Sequence, residues 1–243
     1  LNPLFTQADF DAERAKLIEG LKSDEKSASA IAARVQNVLT YGKEHYNGEF
    51  TSEETLKNVT LQDVINHYNT YFVPSNAYLV VIGDVKTADV KKKVEELFGA
   101  DVWKKATAPN LTYNDPKDLQ YSQINFVDVP NAVQSEIALI NLSKLKMNDK
   151  DYFAAILANQ ILGGGGEGRL FLNLREKHGW TYGSYSNLGA SKYISKFSST
   201  ASVRNAVTDS AVVEIFNELK RIRTDLVSAE DLKNAKAKYI GNF

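Results

Sequence analysis
The sequence predicts an α+β protein. Three observations carry this. Helix-period and strand-period segments both occur, and they mix without the strict βαβ alternation of a parallel sheet. Adjacent strand-like runs are joined by short turns, which favours antiparallel pairing. Hydrophobic residues make up 43% and charged residues 24% of 243 positions, a composition that buries a core rather than staying disordered.

The elements follow in order. Asp9 or Asp11 is placed to cap a helix starting near Phe10. Leu17, Ile18, Leu21 and then Ile31, Val35, Val38 and Leu39 recur at helical spacing, and Gly42 is placed to end that stretch. The turn-rich segment 40–50 follows. Residues 51–54 (TSEE) read as a capping box. Thr60 starts the next helix, with Leu61, Val64, Ile65 and Tyr68 on one face and Pro74 in the loop beyond it. Ala77–Gly83 (AYLVVIG) has the length and β-branching of a buried strand. Thr87 caps a helix carrying Val90, Val94, Leu97 and Phe98.

Residues 101–120 hold two prolines and no periodicity, and read as a linker. Beyond it, INFVDV (124–129) and VQSEIALINL (133–142) form two strands around a Pro130-Asn131 turn. A helix spans Asp149 to Leu162, and the glycine cluster Gly163, Gly164, Gly165, Gly166 and Gly168 follows it. Helical spacing resumes from Arg169 to Lys177. TYGSYSNL and KFSSTASV alternate like strands. Asn205 or Thr208 opens a long helix, and Ser228 caps a last one that runs to the end of the sequence. The beginning lacks Met and a signal-peptide pattern, and both ends read as cuts in a longer protein.

Composition narrows the chemistry. With 29 basic and 30 acidic residues, the net charge of −1 offers no electrostatic case for nucleic acid or an anionic membrane. No apolar run approaches the roughly 18 residues of a transmembrane helix. The absence of cysteine excludes disulfides, zinc thiolates and thiol nucleophiles. The three histidines, His45, His67 and His178, lie in no zinc-binding pair motif. His45 and Glu49 are four apart, but in a glycine-containing loop, so His45 reads as a surface residue rather than a ligand. No G-x-S-x-G elbow is present. The glycine cluster lacks the Gly-Lys-Ser/Thr ending of a phosphate loop and follows a helix instead of a strand. It reads as a flexible or left-handed connection, with a role in admitting substrate as the second reading. Arg175 and Tyr182 flank a turn at Gly179, so a guanidinium and a phenol can meet there as donors to a peptide carbonyl or an oxyanion. Spacing alone leaves a structural pair and a functional pair both open.

The string ANQILGGGGEGRLFLNLREKHGWTYGSYSNL resembles the insulinase/pitrilysin (inverzincin) zinc metallopeptidases, in the domain that does not bind zinc. The segments ASAIAARVQNVLTYGKEHYNGEF and YNTYFVPSNAYLVVIGDV are similar to two further family segments, in the family's order. The similarity covers essentially the whole chain, and it is processing-peptidase-like.

The resemblance implies two consecutive domains of mixed α/antiparallel-β, sandwich-like type, both truncated. Residues 1–100 would be the latter part of a first domain, 101–120 the linker and 121–243 a second domain. Two such domains make a half, and two halves close around a peptide. The family's H-x-x-E-H would lie before residue 1. Its third zinc ligand would fall at Gly20, with Glu19 one residue and about 100° of helix turn away. The chain itself is therefore expected to hold no metal, with zinc in a catalytic partner subunit or half that carries H-x-x-E-H. The family's inactive half uses an Arg and a Tyr seven apart to reach the scissile region. Arg175 and Tyr182 carry that role over as substrate-binding residues that hydrogen-bond the peptide backbone. His178 and Tyr185 match no such role and are read as structural. Two other readings follow from the same likeness: a complete zinc peptidase whose H-x-x-E-H lies outside these residues, with Glu19 as ligand, or a non-enzymatic scaffold. Family habit points to a bacterial cell envelope or periplasm, while the residues themselves fix no compartment.

Overall fold
A computed structural model describes residues 2–100, 102–103 and 106–242. The fold is α+β, predominantly helical with one small antiparallel sheet. The chain divides into two compact units: residues 1–23 with 51–113, and residues 24–50 with 114–243.

The first unit is helical. Helix α1 (Gln7–Asp24) starts at Thr6, whose hydroxyl accepts from the Asp9 N–H at 3.1 Å. The cap is thus Thr6, not Asp9 or Asp11. Helix α3 (Glu53–Asn58) opens with the Ser52/Thr55 capping box and α4 (Leu61–Tyr71) with the Thr60/Asp63 box. A 3-10 turn, Pro74–Asn76, follows, and α5 runs Thr87–Phe98. Phe5 packs edge-on against Tyr68, centroids 5.3 Å apart, which holds the start of the unit to α4.

The strand expected over Ala77–Gly83 is absent. The segment joins no strand pair among the described residues, and Tyr78, Val80 and Ile82 are 96%, 76% and 92% exposed. β-branched residues make a strand favourable, but only a neighbouring strand makes it one.

The second unit carries the sheet. Helix α2 (Ala28–Tyr41) is capped by the Ser27 hydroxyl and ends at Gly42, φ +83°. The expected long helix is therefore broken at residues 25–27. Strands β1 (Gln134–Ser143), β2 (Ser184–Leu188) and β3 (Ser195–Arg204) pair antiparallel in the order β1-β3-β2. Ala201 sits between Ile137 and Ser184 in register. The strand expected over 124–129 is not formed. Its turn is: the Ala132 N–H donates to the Val129 carbonyl at 3.1 Å, with Asn131 at φ +64°.

Helices α6 (Tyr152–Gly163), α7, α8 (Thr208–Thr224) and α9 (Ala229–Gly241) complete the unit. Helix α7 is α-helical over Arg169–Phe171 and π-helical over Leu172–Lys177. The core joins Ile137, Ala201 and Val203 of the sheet to Leu162, Leu170, Leu174, Ala211 and Ile215 of the helices. Helix α2 lies against β1, and Lys196 Nζ of β3 donates to Asn37 of α2 at 2.7 Å. That packing is why residues 24–50 group with the sheet. Among the described residues no helix is long and apolar enough to cross a membrane.

Candidate functional site
The end of α6 lies directly on β2. A Cβ on Gly163 would strike the Ser186 backbone nitrogen, and one on Gly168 would stand 2.8 Å from the Gly163 Cα. Close approach therefore requires glycine at both positions. This contact delivers α7 onto the sheet, with Leu170 and Leu174 fully buried beneath it.

The π-helical stretch has its own anchor. The His178 N–H reaches back five residues to the Asn173 carbonyl at 3.2 Å. The Asn173 side-chain amide donates to Glu214 at 2.7 Å and to Glu218 at 2.8 Å. Those carboxylates are one turn apart on α8, and Glu218 is buried. Like charges at that spacing repel unless a donor sits between them, and Asn173 is that donor. His178 stacks on Trp180 at 4.0 Å, with Nε2 3.9 Å from Glu214. His178 was read as structural, whereas Asn173, Glu214 and Glu218 were not singled out in the sequence. The signal that could have found them is the pair of glutamates four apart on the inward side of an amphipathic helix.

The Asn173 hydrogen bond holds the Glu214 carboxyl below its ordinary pKa. Asn217, Lys177 and His178 add to the effect, and burial partly opposes it. A lowered carboxyl contributes stability above its unfolded pKa, about 4.3, and loses it as pH falls through the lower folded value. Replacing Asn173 with alanine should therefore cost about 1–3 kcal/mol near neutral pH. It should also flatten the loss of stability on acidification below the ordinary carboxylate range. Urea midpoints against pH for both proteins test this; parallel profiles would contradict it.

Arg175 leaves the other side of α7. Its guanidinium lies 4.7 Å over the Phe171 ring, and Nε is 3.5 Å from the Glu176 carboxylate. The side chain is 47% exposed. Gly179, at φ +63°, turns the chain, and the Thr181 hydroxyl accepts from the Gly183 N–H at 3.1 Å. Tyr182 stands at this bend, 88% exposed, two residues before β2 begins. Among the described residues no hydrogen bond joins Arg175 to Tyr182. Each is held separately at the edge of the α7–β2 elbow, with its donors available.

Among the described residues no group of three or more His, Cys, Asp or Glu side chains is placed to hold a metal ion. Glu19 is exposed on α1 and pairs with Lys22 at 2.8 Å, so the residues present do not fit a zinc site. His45 is not the surface residue expected. It is buried, 5.1 Å from and parallel to Tyr41, and its Nδ1 accepts from the Asn47 N–H at 3.1 Å.

A family model described as the peptidase M16 inactive domain matches residues 58–239. The chain belongs to the M16 peptidase family. Two curated relatives come from Bacillus subtilis (strain 168). The probable inactive metalloprotease YmfF is 22% identical over 193 residues, covering 79% of this chain and 43% of its own. The uncharacterized zinc protease YmxG is 22% identical over 246 residues, covering 98% of this chain and 57% of its own. The chain thus spans about half the length of these relatives. A crystal structure of an M16 inactive domain from Pseudomonas fluorescens superposes with a TM-score of 0.85 at 20% identity. It covers 100% of this chain and 58% of that one, and shows the shared α+β fold. The Gly163–Tyr182 elbow falls wholly within the region matched to the inactive M16 domain.

Proposed function
We propose that this chain is the substrate-binding, non-catalytic half or subunit of a zinc-dependent endopeptidase. Zinc, a general-base glutamate and an activated water come from a partner half or subunit carrying H-x-x-E-H. This chain contributes Arg175 and Tyr182, which hydrogen-bond the peptide backbone beside the scissile bond. The observation that carries the reading is the exposure of both donors at the α7–β2 elbow, inside the region matched to an inactive peptidase domain. An arginine and a phenol there suit a carbonyl that gains negative charge during attack. No catalytic step is assigned to this chain's own residues. In this reading, residues 1–100 and 121–243 are parts of two successive family domains joined by 101–120.

A second reading has one observation in its favour: a relative named as a zinc protease, of which this chain spans 57%. In that case H-x-x-E-H lies elsewhere in the same polypeptide. Cleavage of a quenched peptide by the full-length protein, by a separate H-x-x-E-H subunit and by their mixture separates the two. Activity in the mixture alone is the expected result, and activity of the full-length protein by itself would exclude the complementary-subunit reading.

A further inference from the structure
His178 follows the π-helical stretch of α7 and lies between Arg175 and Tyr182 in the chain. Its side chain is mostly buried, and its ring stacks on Trp180 with centroids 4.0 Å apart. The Nε2 atom is buried and has no hydrogen-bond partner. It lies 3.9 Å from a carboxylate oxygen of Glu214, a side chain that is also mostly buried. That gap is about 1 Å longer than a charge-assisted N–H···O bond.

The groups facing the ring from α8 are acidic. Glu214 and Glu218 stand one turn apart there, each accepting from the Asn173 amide. Arg221 offsets part of the Glu218 charge from 3.6 Å, and Lys177 on α7 acts on Glu214. The Glu214 carboxylate accepts from two neutral amides, Asn173 at 2.7 Å and Asn217 at 3.2 Å. Its lowered pKa, due first to Asn173, keeps it charged across pH 5–8. Histidine side chains gain and lose their proton in that range. A neutral imidazole has no charge to draw the carboxylate across the gap, whereas an imidazolium has.

We propose that His178 is a proton-operated latch on the α7–β2 elbow. With its proton, the ring donates from Nε2 to Glu214 and ties the turn at Gly179 to α8. Without it, the turn is held by the Trp180 stack and by its backbone bonds, among them the His178 N–H to the Asn173 carbonyl at 3.2 Å. The latch is closed when His178 is protonated and opens as pH rises through the histidine range. The bend that carries Tyr182 is therefore firmer in mild acid. The latch acts within the chain, whether or not Arg175 and Tyr182 contact peptide.

Hydrogen exchange of the full-length protein at pH 5.5 and pH 7.5, corrected for intrinsic exchange rates and read on amides 178–184, tests it. Both values lie above the ordinary carboxylate range. Protection should be about two- to fivefold higher at pH 5.5, the gain expected of one partly exposed ion pair. His178→Gln removes the group that titrates, and Glu214→Gln removes its partner, so each should abolish the difference. Should one variant lose its native circular dichroism, the other carries the comparison. Equal protection at the two pH values in the unaltered protein would overturn the proposal. So would persistence of the difference in a folded variant.

Discussion

Arg175→Ala lowers kcat for peptide cleavage by the assembled peptidase proposed above by about 10- to 1,000-fold, with little change in thermal stability. The side chain is half exposed, and it lies over the Phe171 ring and near Glu176. Its loss therefore leaves no cavity in the core. A surface ion pair of this kind contributes little to folding. A donor that meets charge developing in the transition state contributes much more to rate. Tyr182→Phe removes one hydroxyl from a residue 88% exposed, and should lower kcat in the same direction while leaving the fold intact. The split between kcat and KM is informative. A fall in kcat with KM unchanged marks a transition-state contact, whereas a rise in KM alone marks uniform binding. Full activity in both variants would return the pair to a structural role.

Leu174→Ala destabilises the second unit by about 2–5 kcal/mol. Leu174 is fully buried and sits in the cluster formed by Leu170, Ile215, Val203 and Ala201. It is also the residue just before Arg175, so the same turn of α7 that fills the core aims the guanidinium outward. The close contact of Gly163 with β2 leaves the α6–α7 corner little room to collapse into the space vacated. Urea unfolding of the variant measures the loss, and a change below about 1 kcal/mol would mean that the corner repacks.

Local chemistry was the legible part of this fold. Thr60 and Ser228 cap helices where a side-chain oxygen precedes an apolar-periodic run, while the box expected over 51–54 forms one residue later, between Ser52 and Thr55. Gly42 ends α2 with a positive φ. The two apolar runs at 77–83 and 124–129 were misread because a strand is defined by a partner that no local pattern names. The break between α1 and α2 was missed although Ser27 marks it, since the apolar spacing continues on both sides. The π-helical stretch of α7 was beyond local reading. It depends on Asn173 reaching two carboxylates on α8, more than 40 residues away in sequence. His45 could have been read better: Tyr41 four residues before and Tyr46 one after are the aromatic faces that bury it. At the candidate site, Arg175 and Tyr182 were legible as types and spacing. What the sequence did not show is that they are held by separate supports, one by Phe171 and one by the Thr181–Gly183 bend.

The most direct test of the central claim is the zinc content of the purified full-length protein, measured by elemental analysis beside an activity assay. The account predicts substoichiometric zinc and no cleavage without an H-x-x-E-H partner. One zinc per chain, with cleavage by the protein alone, would contradict it and direct the search for the third ligand to Glu19.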